Sequence, residues 1–323
     1  MTSAAEIPFR RPLVIVSGLS AAHREMVRDF ALALNAPVYA EPSSGIREDE
    51  RLRDLLVSAG ERMLARGSFD GVVRIGAVPT VRFWRDLEES LADLPVVSFS
   101  DAPFPGLSRG QVHPIDFPSV TARDRDDRFF SEDRRFAGEI GAILDREPES
   151  ELAMVRALSR EMPAQSRVYL GNSLPIREWD LIASREPKGF VCEANRGANG
   201  IDGQLSTFFG WCAPRANNIA VLGDLTALYD MNAPWIVPQL GDDVAFTITI
   251  INNGGGRIFS RVASLRAIDR RLMENSHTLS FEPWAEMWGL PYGDRSAVRS
   301  VLELRPEEAA SARVWQAYDA LWS

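Results

Sequence analysis

Short apolar runs alternate with amphipathic stretches along the first half of the chain. Residues 13–16 are an apolar run ending in Ser17-Gly18, 21–34 carry apolar residues at helical spacing, and 37–40 are apolar again. The alternation continues with helical spacing over 52–65 and 81–91 and strand-like runs at 72–75 and 96–99. Strand–helix alternation of this kind predicts a parallel sheet with covering helices. From 101 to 133 the pattern breaks at Pro103, Pro105, Pro114 and Pro118, and the mixed-charge run 123–128 reads as a solvated surface. A helix over 134–144 follows, and the Arg-Glu-Pro-Glu-Ser stretch at 146–150 reads as a domain boundary.

The second half alternates again. Strands are expected at 168–170, 189–192, 219–222 and 245–251, with a late run at 301–304. Helices are expected at 203–211, at 225–238 with an interruption at Pro234, and at 282–288. The expected fold class is α/β with two domains, 1–149 and 150–323, each a mainly parallel sheet covered by helices. No internal repeat and no low-complexity segment is visible.

Composition narrows the partners. A net charge of −9 disfavours nucleic acid and anionic membrane surfaces. No run approaches the roughly 18 apolar residues of a membrane span, and the first residues lack the basic and apolar regions of a secretory signal. Two cysteines, Cys192 and Cys212, make no disulfide framework in a chain of this length and read as small core residues. A cytoplasmic protein is the expectation. Lys188 is the single lysine among 36 basic residues, so a cationic anion site here is built from arginine.

The strongest chemical signal is Gly223-Asp224-Leu225 followed, after the intervening 226–251, by Asn252-Asn253 and Gly254-Gly255-Gly256. Each piece follows a predicted buried strand. Parallel strands ending at one sheet edge form the ligand crevice of open α/β folds. A carboxylate and an amide oxygen brought together there suit Mg²⁺, which takes few protein ligands and completes its shell with phosphate oxygens. Glycines let the backbone approach phosphates closely, and the start of the following helix at Leu225 and Thr226 presents N–H groups to an anion. Taken alone, an Asp N-cap or an Asn-Gly turn is commonplace; the pairing after two buried strands is not.

The Gly-Asp to Asn-Asn spacing resembles the thiamine-diphosphate signature. Within that superfamily the segments 171–177, 195–203, 223–232 and 252–260 together resemble the 2-succinyl-5-enolpyruvyl-6-hydroxy-3-cyclohexene-1-carboxylate synthases of menaquinone biosynthesis. The likeness covers that family's diphosphate-binding domain from about 150 onward. It extends to the central, Rossmann-like domain over 1–149, where 74–80 matches. The resemblance implies thiamine diphosphate and Mg²⁺ (or Mn²⁺) as cofactors, with Asp224, Asn253 and the Gly255 carbonyl as metal ligands. It assigns cofactor contacts to Asn199, Gly200, Ile201, Gly223, Asp224, Leu225, Thr226, Asn253, Gly255, Gly256, Ile258 and Phe259. Ile201 would hold the cofactor bent, bringing its amine against the reactive carbon. Ser173, Arg177, Arg196 and, replacing a family lysine, Arg82 would receive the carboxylates of 2-oxoglutarate and isochorismate, dicarboxylates suited to arginine.

The implied reaction is decarboxylation of 2-oxoglutarate and addition of the remaining unit to isochorismate. One part of the family's plan has no counterpart. The pyrimidine-binding domain, with the glutamate that activates the cofactor, is not matched, so the activating residue is unassigned. Three readings follow: the larger subunit of a split synthase whose separate subunit supplies the pyrimidine domain, a non-catalytic cofactor-binding protein left by domain loss, or part of a longer enzyme. A dimer or higher oligomer is expected. Another thiamine-diphosphate-dependent 2-oxoacid decarboxylase or ligase is the enzymatic alternative. A dinucleotide binder lacks the Gly-x-Gly-x-x-Gly signature after the first strand. His23, His113 and His277 fall outside these motifs and read as surface or packing residues. Trp284 and Trp288, four apart, read as packing.

Overall fold

The structure is a computed structural model that describes residues 6–197, 200–261 and 268–323. It divides into two compact units. One holds the chain up to Ala142 with Arg185–Gly189 and Leu321–Ser323; the other holds Ile143–Ser184 and Phe190–Ala320.

The first unit contains strands β1 (Pro12–Val16), β2 (Val38–Ala40), β3 (Gly71–Ile75), β4 (Val96–Phe99) and β5 (Val112–His113), in the all-parallel order β2-β1-β3-β4-β5. Every residue of β1 and β3 is buried, which explains their continuous apolar runs. Helix α1 (Arg24–Leu34) turns Val27, Phe30, Ala31 and Leu34 inward and ends on Asn35 in the left-handed conformation. Helices α2 (Arg82–Asp86) and α3 (Asp127–Arg146) follow, and the division between the units falls inside α3. The expected helix over 52–65 is absent, and short 3-10 turns at Glu50–Leu52 and Glu61–Arg66 stand in its place. The backbone groups a helix would use are engaged elsewhere. Val38 donates to the Leu55 carbonyl and Val57 donates to the Val38 carbonyl, extending the sheet edge. The N–H groups of Ser58 and Ala59 donate to the buried Asp133 carboxylate at 2.9–3.0 Å, and Gly60 sits at φ +87°.

The second unit begins with α4 (Glu151–Glu161), capped by the Ser150 hydroxyl, which accepts from the Ala153 N–H. Then come β6 (Arg167–Leu170), α5 (Leu174–Ile182), β7 (Val191–Glu193), α6 (Gln204–Trp211), β8 (Asn218–Gly223), α7 (Asp224–Tyr229), β9 (Phe246–Ile251), α8 (Arg270–Met273), α9 (Glu282–Met287), β10 (Arg299–Leu304) and α10 (Glu308–Ala320). The sheet order is β10-β9-β8-β6-β7, all parallel. The 225–238 stretch is helical only to Tyr229 and resumes as a 3-10 segment at Ala233–Gln239; the break falls at 230–232, and Pro234, expected to interrupt the helix, sits in the first turn of the 3-10 segment instead. Phe208, Phe209, Phe246 and Phe281 fill the core between the sheet and α6 and α9, and Trp284 packs there as expected. The expected fold class holds: each unit is a parallel sheet covered by helices.

Chain order places the site. The chain runs from β6 outward to β7, then returns to β8 on the other side of β6. Chain connections therefore diverge between β6 and β8, and the carboxyl ends of those two strands flank the crevice where open α/β sheets bind ligands. Leu170 pairs with Val221, which puts Gly171-Asn172-Ser173 beside Gly223-Asp224. Gly223 pairs with Ile251, which brings Asn252-Asn253 to the same edge.

Candidate functional site

A cavity of about 250 Å³ opens at that edge. Its walls come from four places: Glu151 at the start of α4; Ser173, Leu174 and Pro175 after β6; Gly200 and Ile201; and the loops after β8 and β9. Gly223, Asp224, Leu225 and Thr226 line it on one side, and Asn253, Gly255, Gly256, Arg257, Ile258 and Phe259 on the other. All the residues expected to meet the cofactor therefore line one cavity, except Asn199, which lies outside the described residues.

Asp224 is 3 % exposed. Its Oδ1 accepts from the Leu225 N–H at 2.6 Å, and its Oδ2 accepts from the Gly254 and Gly255 N–H groups at 2.9 Å each. Burial nevertheless pushes its carboxyl above the ordinary range, against the pull of those donors and of His277. His277 Nε2 lies 3.3 Å from Asp224 Oδ2, while its Nδ1 accepts from the Leu279 N–H. The expectation that His277 is a bland residue is thus corrected: it faces the central carboxylate of the cavity. Nothing in the sequence pointed there, because the loop that returns 277 to the Gly-rich turn forms by tertiary contacts, including the His277 N–H donating to the Gly254 carbonyl.

The two asparagines have different tasks. Asn252 Nδ2 donates to Glu303 Oε1 and to the Leu279 carbonyl, bracing the end of β9 against β10. Glu303 also accepts from the Tyr292 hydroxyl and the Phe281 N–H. Asn253 faces the cavity. Its Nδ2 donates to Glu151 Oε1 at 2.8 Å, and its Oδ1 is buried without a hydrogen-bond partner among the described residues. Gly255 adopts φ +134°, and a side chain there would collide with the Glu274 carbonyl, so this turn requires glycine. Glu274 ties the turn down by accepting from Arg257 Nη1 at 3.0 Å and from the Ser260 hydroxyl at 2.5 Å.

Beneath the cavity lies a pair of acids that the sequence did not reveal. Glu151 and Glu178 are buried on α4 and α5. Burial raises the Glu151 carboxyl to about 7, helped by the charge of Asp224 and opposed by Asn253 and Arg257. Burial and the adjacent Glu151 hold Glu178 well above the ordinary range.

Of the residues expected to receive carboxylates, Ser173 and Arg196 sit on loops of the second unit and Arg177 on α5. Ser173 precedes α5 at φ +74°, a conformation uncommon for a non-glycine residue, and lines the cavity. Arg177, one turn later and exposed, donates from Nη1 to the Ser173 carbonyl at 2.6 Å. Arg196 Nη1 donates to Asn172 Oδ1 at 2.7 Å, and Asn172 Nδ2 donates to the carbonyls of Asn195 and Gly200. Gln204 completes this knot, accepting from the Asn172 N–H and donating to the Gly200 carbonyl. Arg82 belongs to the first unit, where its guanidinium pairs with Asp86 at 2.8 Å on its own helix.

The donor set suits a hard cation. Among the described residues the Asn253 oxygen has no hydrogen-bond partner, the Asp224 carboxylate is desolvated, and a backbone carbonyl is available at Gly255, whose oxygen accepts the Arg257 N–H. Among the described residues there is no cluster of three or more His, Cys, Asp or Glu side chains that makes a metal cage by itself. A site of this kind leaves most of the cation's shell to a phosphate-bearing ligand and water. No described helix is long and apolar enough to cross a membrane.

No family model matches the chain. Comparison with curated proteins is more informative. The chain is 40% identical to 2-succinyl-5-enolpyruvyl-6-hydroxy-3-cyclohexene-1-carboxylate synthase of Bdellovibrio bacteriovorus, a match covering 97% of the chain and 62% of that protein. It is 36% identical to the synthase of the same name from Akkermansia muciniphila over 87% of the chain and 54% of that protein. It is 28% identical to the one from Bacillus pumilus, over 84% and 51%. The chain thus spans between half and two thirds of the length of these relatives. Over that span, its sequence is similar to the 2-succinyl-5-enolpyruvyl-6-hydroxy-3-cyclohexene-1-carboxylate synthases.

Proposed function

We propose that this chain is the cofactor-diphosphate, metal and substrate-carboxylate part of a thiamine-diphosphate-dependent synthase that decarboxylates 2-oxoglutarate and joins the remaining unit to isochorismate. The observation that carries the reading is the convergence of Asp224, Asn253 and Ser173 on one cavity at the point where the strand order reverses.

Asp224, Asn253 Oδ1 and the Gly255 carbonyl would hold Mg²⁺ or Mn²⁺, and the metal would anchor the diphosphate. When bound, thiamine diphosphate supplies the electron sink that loss of CO₂ from a 2-oxo acid requires. The chain's own residues do the rest. Ile201, Ile258 and Phe259 give the cavity apolar walls that exclude water and fix the shape of what binds. Ser173, Arg177 and Arg196 receive substrate carboxylates, with Asn172 holding the Arg196 guanidinium in place. One carbon–carbon bond breaks with release of CO₂, and one forms to the ring of the acceptor, a carbon–carbon-forming transfer.

The pyrimidine half of the site, with its activating carboxylate, comes from a separate subunit or from a further stretch of a longer polypeptide. Exposed apolar side chains support an interaction face on the second unit. Tyr229, Met231 and Trp235 are exposed there, Trp235 packs edge-on against Trp288, and Trp284 and Trp288 both donate to the Met231 carbonyl. A dimer or larger assembly follows from this reading. The test is donor choice. The chain purified with its companions from its own host should release CO₂ from 2-oxoglutarate in the presence of isochorismate, and not from pyruvate. Preference for pyruvate would replace the synthase with another 2-oxoacid decarboxylase or ligase.

A further inference from the structure

The reading above leaves Glu151 without a task, yet it is the acidic side chain that touches a residue assigned to the metal. Its place is fixed from three directions. Ser150 caps the helix of which Glu151 is the first residue, the Glu151 N–H donates to the Ser311 hydroxyl at 3.0 Å, and Glu151 Oε1 accepts from Asn253 Nδ2 at 2.8 Å. Asn253 is restrained from its other side by Arg257 Nε, which donates to the Asn253 carbonyl at 3.1 Å.

An asparagine amide has two nearly isosteric ends, one a donor and one an acceptor. Only the oxygen end can ligate a cation. An ionised carboxylate only accepts and an amide oxygen only accepts, so with Glu151 ionised an Asn253 turned the other way would set two acceptors against each other inside the protein. Glu151 therefore selects one of the two amide orientations. The selected one leaves Oδ1 as the unpartnered oxygen of a residue that lines the cavity. We propose that Glu151 is a positioning residue for the metal site, its carboxylate holding the Asn253 amide so that Oδ1 is presented to the cation before the cation arrives. Partners behind metal ligands commonly act this way, orienting the ligand and raising affinity.

This inference rests on Asn253 being a metal ligand, and the test separates the two. The probe is Mn²⁺ with thiamine diphosphate, titrated into the full chain and read from the electron paramagnetic resonance signal of free Mn²⁺. Five proteins are compared: the unaltered chain, Asn253→Ala, Asn253→Asp, Glu151→Met, and Asn253→Asp combined with Glu151→Met. Glu151→Met keeps length and removes the acceptor, and it should weaken Mn²⁺ binding about 10- to 100-fold. Asn253→Asp presents an oxygen whichever way its side chain turns, so adding Glu151→Met to it should cost no affinity. If Glu151→Met does not fold, Glu151→Ala takes its place with the same expectation. Unaltered affinity in Glu151→Met overturns the proposal. A loss on adding Glu151→Met to Asn253→Asp as large as in the unaltered chain overturns it too, because the role would then be charge and not orientation. Equal binding by Asn253→Ala and the unaltered chain, or no binding by either, removes the metal reading itself and the inference with it.

Discussion

Replacing Asp224 by asparagine should separate metal binding from stability. In the metal-free protein the carboxylate does two opposing things. It satisfies three N–H groups, of Leu225, Gly254 and Gly255, and it is a desolvated charge whose carboxyl is raised above its ordinary range. Asparagine fills the same volume and keeps an acceptor oxygen for the Gly254 and Gly255 donors, while removing the buried charge. The two changes oppose each other, and the net effect on metal-free stability should be small, about 1 kcal/mol or less. Asp224→Ala removes all three acceptor contacts. The Gly255 N–H is then buried without a partner, and a loss of about 1–3 kcal/mol follows. Cation binding should fail in both variants, because an anionic oxygen is lost from a hard-cation site. At a cation and cofactor concentration of about 100 times the dissociation constant, the unaltered chain gains about 2.7 kcal/mol on ligand addition and neither variant gains it. The assay is urea unfolding in chelator and again with Mg²⁺ and thiamine diphosphate. The reasoning fails if Asp224→Asn retains the ligand-induced gain, or if it loses as much metal-free stability as Asp224→Ala.

Other expectations are shorter. The metal-free protein should lose stability as pH rises from about 4.5 to about 7, because native Glu151, raised to about 7, still binds a proton that the unfolded chain has released. The slope is at most about 1.4 kcal/mol per pH unit for that one proton, and unfolding midpoints that rise over this range would contradict it. Gly255→Ala places a Cβ against the Glu274 carbonyl at φ +134°, so it should destabilise by about 1–3 kcal/mol and abolish cation binding; an unchanged melting temperature would show that the turn can relax. Arg196→Ala should reduce turnover far more than cofactor binding, since its guanidinium belongs to the Asn172 loop and not to the diphosphate wall. The reverse pattern would make it a diphosphate contact.

Much of the fold was readable because buried parallel strands write continuous apolar runs, as at Leu13 to Val16 and Ile219 to Leu222. The cofactor wall was readable for a related reason. Gly223-Asp224 and Asn252-Asn253 follow two such runs directly, so their meeting at one edge follows from the parallel register. The 52–65 segment shows where local pattern fails. Its spacing is helical, but its backbone groups are taken by Val38 and by Asp133, which lies more than 70 residues away in sequence. His277, Glu151 and Glu178 were hidden for the same cause. Each acquires its meaning from a neighbour distant in sequence, and an acidic residue at a helix start reads as a solvated one until burial is known. Asn252 and Asn253 looked alike as a pair, and only their partners, Glu303 for one and Glu151 for the other, distinguish a brace from a candidate ligand.

The central claim is that this chain supplies one half of a two-part cofactor site. Gentle purification of the tagged chain from its own host, followed by intact mass measurement and assay with 2-oxoglutarate and isochorismate, addresses it directly. The account predicts either a companion of roughly one domain's size, about 150–200 residues, or a longer polypeptide that contains this chain, and turnover in either case. The chain recovered alone at its own mass, without turnover, would contradict it.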